Sequence, residues 1–489
     1  MTNFTPEHYG ISSTKISEYI KILEDNELCT HNLIIARGND TVYENYWFPF
    51  NAEFRHRMYS ISKSIVAIAV GFAEQDGLID LDEKISTYFP EECKEQKDPN
   101  FINTTVRDML MMATSKPDRD WFSARIPDRV KFYFENNNPS IPSGKLFRYD
   151  STGSFVIGAL VERVSGKKLQ DYLSEKLFEK LGIEGTRFLM CPGGHSWGDS
   201  GFLCTARDML KIARFTMNYG TWNGERLLNE NYLRTAVSKL IDNDDGNDGQ
   251  HDCQGYGYYI WRTYENSFFF NGMGCQFAVC VPDKDIIMIY NGDNQGKTYA
   301  KKVIIDNFFK LIVDSAADTP LTENAEAYSN LKSLSDMSVL SFVKGQTSSA
   351  IAERISGKTY ILNDNPMGIK NMKFTFGGNE GKLDYENAQG KKTWLFNFGE
   401  NEFFLFPQDG YSDEVGSCKG NGRYRAAGSA AWVEESKLNV RIQVIDNYFG
   451  NINAVFAFGE NDITVSMIKN AEDFLKEYQG IAYGIEGCE

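Results

Sequence analysis

The stretch Met58-Tyr59-Ser60-Ile61-Ser62-Lys63-Ser64-Ile65-Val66-Ala67-Ile68-Ala69-Val70 sets a hydroxyl and an amine three residues apart at the mouth of an apolar run. Residues i and i+3 share one helix face, so the spacing predicts that Ser60 and Lys63 meet. A hydroxyl is a weak nucleophile, and a lysine held out of water loses proton affinity and can act as the base that activates it. Spacing alone is unspecific, because Ser-x-x-Lys recurs at Ser12, Ser165, Ser329, Ser341 and Ser466. Only after Ser60 does a nearly all-round apolar run follow, from Ile65 through Phe72 to an Asp76-Gly77 stop, as in a helix buried in a large core. The plain alternative is a buried helix whose first turn carries Ser and Lys without any chemistry.

Two later segments weigh on that choice. In Pro142-Ser143-Gly144-Lys145-Leu146-Phe147-Arg148-Tyr149-Asp150-Ser151-Thr152-Gly153-Ser154-Phe155, turn residues give way to a helical apolar pattern at Phe155, Val156, Leu160 and Val161. Tyr149 and Ser151 are therefore predicted in a loop just before a helix. A tyrosine there can shuttle a proton between nucleophile and leaving group, although a chain with 25 tyrosines also packs many of them in its core. The second segment, Asn271-Gly272-Met273-Gly274-Cys275-Gln276, lies between strand-like runs at 268–270 and 277–281. Glycines at a strand edge let a substrate carbonyl approach the backbone, whose N–H groups then stabilise an oxyanion.

In this order the three segments resemble the serine β-lactamase and penicillin-recognising family, known for its Ser-x-x-Lys box. The nearer likeness is to the branch of class C β-lactamases, carboxylesterases and 6-aminohexanoate-dimer hydrolases. Leu33-Ile34-Ile35-Ala36-Arg37-Gly38, Thr105-Val106-Arg107-Asp108-Met109-Leu110, Val164-Ser165-Gly166, Thr205-Ala206-Arg207-Asp208-Met209-Leu210 and Gly220-Thr221-Trp222-Asn223-Gly224-Glu225 extend it from about residue 15 to about residue 315. The resemblance implies Ser60 as nucleophile, Lys63 as its base and Tyr149 as proton relay. It also implies an oxyanion held by the backbone N–H groups of Ser60 and Met273, with Gly272 and Gly274 at the strand edge and Ser151 in the second box. The reaction implied is hydrolysis of an amide or ester of a small molecule through an acyl-enzyme, without cofactor. The glycine-rich Gly193-Gly194-His195-Ser196-Trp197-Gly198-Asp199-Ser200-Gly201 is expected near the cleft, with His195 or Trp197 touching substrate.

The chain departs from the family pattern in three places. The second box reads Tyr-Asp-Ser where many members have Tyr-x-Asn. The third lacks the Lys-Thr-Gly whose lysine holds a β-lactam carboxylate, which argues against an efficient β-lactamase or cell-wall transpeptidase. It looks instead like the Gly-x-x-Gly-Gln form of the dimer hydrolases, with Cys275 where a glycine is expected. Ala113-Thr114-Ser115-Lys116-Pro117-Asp118 also lacks the usual Ser-Gly. A D-amino-acid peptidase, and a catalytically silent sensor or ligand-binding protein on the same fold, stand as alternatives.

Composition agrees with this placement. At 489 residues, 42% apolar and 13% aromatic, the chain can bury a large core and is long enough for two domains. A net charge of −16 speaks against nucleic acid and anionic membranes as partners. Nine cysteines, an odd number, read as thiols of a reducing compartment. With no signal-like N-terminus and no membrane-length apolar run, a cytoplasmic location is expected, and self-association is left open. The five histidines His8, His31, His56, His195 and His251 show no paired ligand spacing, so no metal is expected. Asp242-Asn243-Asp244-Asp245-Gly246-Asn247-Asp248-Gly249 misses the EF-hand spacing and reads as a solvated acidic loop.

The order of elements predicts an α/β (α+β) architecture, an antiparallel sheet flanked by helices with a helical subdomain, over residues 1–317. A helix at about 13–25, a hairpin turning at Gly38-Asn39-Asp40, a helix-rich middle at 60–240, strands at about 257–262, 266–270, 276–281 and 286–290, and a helix near 298–314 make up that region. A polar linker is expected at 318–350. From 351 to 489, period-two alternation such as Leu438, Val440, Ile442, Val444 marks a C-terminal antiparallel β domain, lipocalin-like or a meander.

Overall fold

Thr30–Arg37 is buried on both faces, with seven of its residues, Thr30 to Ala36, forming an unbroken buried run, and it lies inside a sheet covered on two sides. The computed structural model describes residues 4–116, 126–244, 251–409, 423–472 and 474–487. The sheet has six antiparallel strands in the order Asp40–Tyr46, Thr30–Arg37, Ile286–Gly292, Gln276–Val281, Phe268–Gly272, Trp261–Arg262. On one face Leu33, Ile35, Phe277, Val279 and Met288 pack with Ile16, Tyr19, Ile20 and Leu23 of the helix Ser13–Asp25 and with Ile304, Ile305 and Phe308 of the helix Ala300–Phe308. The opposite face receives the helix Ala206–Met217, where Cys280 Sγ approaches the carbonyl of Ala213 at 3.8 Å. The expected sandwich is thus present, with its N- and C-terminal helices on one side.

Two helices of the inserted region carry the residues of interest. Ile61–Gln75 buries every residue from Ile61 to Ala73, as its all-round apolar sequence requires. Ser151–Ser165 starts at Asp150, whose carboxylate accepts from Gly153 N–H, and ends at left-handed Gly166. The two helices pack together with Gly158 facing Val66, and Gly198 fits against both, where a Cβ on it would stand 3.2 Å from Leu169 Cδ1 and Val66 Cγ2.

The chain divides into two units, residues 1–339 and 340–489. Within the stretch 318–350, Ala325–Asp336 is a helix whose Leu331 joins the core beneath the helix Ser13–Asp25. Its polar surface resembles a linker in sequence, because only one narrow stripe is buried. The second unit is a ten-stranded meander whose first strand, Thr359–Leu362, pairs antiparallel with its last, Gly480–Glu486. A short parallel pairing, Asn397 with Ser429 and Phe398 with Ala430, closes it into a barrel. Its interior is filled by aromatic rings, among them Trp394 against Tyr385 at 5.3 Å and Tyr478 at 5.3 Å. Among the described residues, no helix is long and apolar enough to cross a membrane, no group of three His, Cys, Asp or Glu is placed to hold a metal, and the seven described cysteines are thiols. Asp245 to Gly249 of the acidic loop lie outside the described residues, as do Pro117 and Asp118.

His56 sits on the short strand His56–Arg57 that leads into the Ser60 segment, buried against Phe50 and Phe54. Burial pushes its imidazole down to about 3, partly opposed by a hydrogen bond it donates to the Phe54 backbone. Below an unfolded value near 6.5 the unfolded chain binds a proton that the folded chain refuses, so stability is lost as pH falls from about 6.5 toward 3. Each pH unit in that window costs about 1.4 kcal/mol for one such group. Urea unfolding at a series of pH values should show this slope, and His56→Gln should flatten it.

Candidate active site

Ser60 stands at the N-terminal end of the buried helix, with backbone angles already in the right-handed region. The residue before it, Tyr59, takes φ +47°, a left-handed conformation that an L-residue adopts at a cost of roughly 1 kcal/mol. That bend lets the chain pass from the strand His56–Arg57 directly into the helix. Burial of the Tyr59 ring, with the Arg57 guanidinium 4.3 Å from its centroid, holds the conformation. The segment Asp199 to Cys204 runs alongside. Met58 N–H donates to the Phe202 carbonyl at 2.8 Å, Phe202 N–H donates to Ser62 Oγ at 2.9 Å, and Arg57 Nε donates to the Ser200 carbonyl at 2.9 Å.

Lys63 is 2% exposed. Its Nζ donates to the Asp199 carbonyl at 2.8 Å and lies 3.2 Å from Ser60 Oγ, within hydrogen-bond range of both. The helical spacing therefore does bring the pair together. Tyr149 joins them: Lys63 Nζ is 5.1 Å from the centroid of its ring, and the ring stacks on Trp261 at 5.9 Å. Phe147 and Tyr256 complete an aromatic wall around Trp261, at 5.9 and 5.0 Å. Ser151 differs from expectation by lying in the first turn of the helix rather than in the preceding loop, with a buried side chain.

The third segment forms the turn of the hairpin in which Gly272 pairs with Gln276. Met273 is exposed at the tip, while Gly274 and Cys275 both take left-handed φ, +77° and +72°. Gly272 is required by a close approach: a Cβ there would stand 2.3 Å from the carbonyl oxygen of Met58, two residues before Ser60. This contact brings the hairpin edge against the Ser60 segment. Cys275 packs its side chain against the core of the sheet, and burial pushes its thiol up to about 12, so it stays protonated near neutrality.

In the glycine-rich segment, His195 Nδ1 is 2.8 Å from Glu162 Oε2. Glu162 also accepts from the backbone N–H groups of Ser196 and Leu169, which ties this segment to the helix Ser151–Ser165. Trp197 is fully buried, with the guanidinium of Arg57 4.4 Å from its ring, and is closed to substrate. The segment serves the site through Asp199 instead, by a main-chain carbonyl that any residue could supply. Sequence reasoning missed this for that reason, and missed Trp261 because only the fold stacks it on Tyr149.

With this geometry in hand, comparison with known proteins is informative. A model of the Beta-lactamase family matches residues 29–303. The 6-aminohexanoate-dimer hydrolase of Paenarthrobacter ureafaciens is 25% identical over 243 residues, 46% of this chain and 61% of that enzyme. The chain thus spans less than two thirds of that relative's length. The octameric penicillin-binding protein homologue from Pyrococcus abyssi shares the fold at a TM-score of 0.51 and 15% identity, over 96% of this chain and 99% of its own. EstCE1, a hydrolase with promiscuous acyltransferase activity, does so at 0.51 and 14%, over 60% of this chain and 98% of its own. Because the family model covers more than half of the sequence and spans all three segments, the chain belongs to the Beta-lactamase family.

Proposed function

We propose that this protein is a serine hydrolase that cleaves a small amide or ester through an acyl-enzyme on Ser60. The observation that carries the reading is a single one: a buried lysine nitrogen 3.2 Å from a serine oxygen and tied by 2.8 Å to a carbonyl. Lys63 Nζ, held by its N–H to the Asp199 carbonyl, is the group in reach to take the Ser60 proton as Oγ attacks. Tyr149, beside Lys63, passes the proton to the leaving group and then draws one from the water that releases the acid. The backbone N–H groups of Ser60 and Met273 hold the oxyanion, each worth on the order of 3 kcal/mol of barrier. A relative named for hydrolysis of a linear amide supports an acyclic amide or ester as substrate. The third segment offers no lysine for a β-lactam carboxylate, and a D-amino-acid peptide remains within the same chemistry.

A fluorophosphonate should label one serine, and peptide mapping should place the adduct on Ser60. Labelling that survives Ser60→Ala would refute the assignment. Lys63→Ala should slow acylation by about 10²–10⁴-fold with substrate binding little changed; equal loss of both would mark Lys63 as structural.

Gly272→Ala should drive the hairpin edge off the Met58 carbonyl and lower kcat/KM by about 10²-fold, the loss of one oxyanion donor, while circular dichroism stays native. A substrate panel should show turnover of p-nitrophenyl esters or aminoacyl anilides well above that of a chromogenic β-lactam.

A further inference from the structure

Three amides lie in line beneath the hairpin turn, each fully buried: Gln276, Asn291 and Asn32. Gln276 Nε2 donates to the carbonyls of Met273 at 3.1 Å and Gly292 at 2.6 Å. Two carbonyl partners leave no freedom in how this amide is oriented, so its Oε1 faces Asn291, whose Nδ2 donates to it at 3.0 Å. Asn291 Oδ1 must then accept, and it does so from Asn32 Nδ2, also at 3.0 Å. The three side chains stand on three neighbouring strands, and their polarity runs in one direction toward the turn.

A buried amide costs a few kcal/mol unless its groups are paired. The neighbouring positions on these strands, Phe277, Ala278, Ile289 and Tyr290, show that the sheet core otherwise takes apolar and aromatic residues. Stability alone would favour apolar residues here too, and three amides where such residues suffice point to a positional requirement. The requirement is visible in what they grip. Gln276 pins the Met273 carbonyl, and Asn294 N–H pins the Gly274 carbonyl at 3.1 Å. On the other side, Gly272 is held by its pairing with Gln276 and its approach to Met58. The two peptide planes after Met273 are both fixed, and Gly272 before it is held in the strand pairing.

We infer that Gln276 is the positioning residue of the oxyanion site, oriented by Asn291 and Asn32, and that it acts by fixing the peptide plane after Met273 and so the turn that carries the Met273 N–H. This rests on the proposed role of Ser60 and deepens it. Gln276 touches no reacting atom; it works through the turn.

The test uses the full chain and matched p-nitrophenyl oxo- and thionoesters, because a sulfur fits an oxyanion site built for oxygen poorly. The wild type should favour the oxoester strongly. Gln276→Met, close in length but without donors, should lower kcat/KM for the oxoester by 10- to 100-fold, chiefly in kcat, and reduce the oxo-to-thiono ratio at least fivefold. Asn291→Ala should do the same more weakly and add little in the double variant. Gln276→Glu, which keeps the size but places oxygens against two carbonyls, should not rescue. A structural role alone would slow both esters equally, so folded variants that keep the wild-type ratio overturn the inference. Should Gln276→Met not fold, the ratio measured on Asn291→Ala decides by the same criterion. Ser60→Ala separates the two readings. Turnover that persists in it removes both, whereas a silent Ser60→Ala with unchanged ratios in the amide variants removes only the positioning role.

Discussion

A lysine nitrogen bonded to a main-chain carbonyl in a dry pocket organises this site, since the position of Lys63 Nζ relative to Ser60 Oγ depends on the Asp199 carbonyl. A free lysine side chain has four rotatable bonds and many places to put its charge. Here burial to 2% removes water as a competitor, and a 2.8 Å hydrogen bond selects one position. The Asp199 carbonyl is in turn placed by the ladder of Met58, Arg57 and Ser62 against the 199–204 segment. The helix delivers the pair, and the neighbouring segment aims it.

Around that interaction, backbone strain is concentrated where geometry is most demanding. Tyr59 and Cys275, both non-glycine residues with left-handed φ, flank the two places expected to supply oxyanion donors. Such conformations persist only where surrounding structure over-determines them. For Tyr59 the burial and cation stacking of its ring do so, and for Cys275 the packing of its side chain on the sheet core. The amide line from Asn32 to Gln276 belongs to the same set of constraints, placing buried polarity at the end of the sheet where Gly272 approaches Met58.

The second unit is built on another principle. Its strands close through the short parallel pairing of Asn397 and Phe398 with Ser429 and Ala430, and its interior is packed with aromatic rings. The side chains placed together in the first unit, Ser60, Lys63, Tyr149 and the hairpin turn, all fall within residues 1–339.

Much of this was open to inspection along the chain. Period and polarity marked the helix Ile61–Gln75, the strands of the sandwich and the alternating strands of the barrel, because local hydrophobic pattern reports which faces are buried. The i, i+3 spacing of Ser60 and Lys63 is a local property of a helix, and so it was readable too. The helix Ala325–Asp336 was less legible, because one buried Leu331 leaves little trace in a polar stretch. The burial of Trp197 was not legible because a glycine-rich loop carries no period from which direction can be read. The sequence by itself determined which elements form and which pair shares a helix face, through short-range spacing and hydrophobicity. Only the tertiary structure decided that the Asp199 carbonyl grips the lysine, that Trp261 backs Tyr149 and that Gly272 presses on Met58, because these are contacts between segments far apart in the chain, made largely by main-chain atoms that every residue possesses.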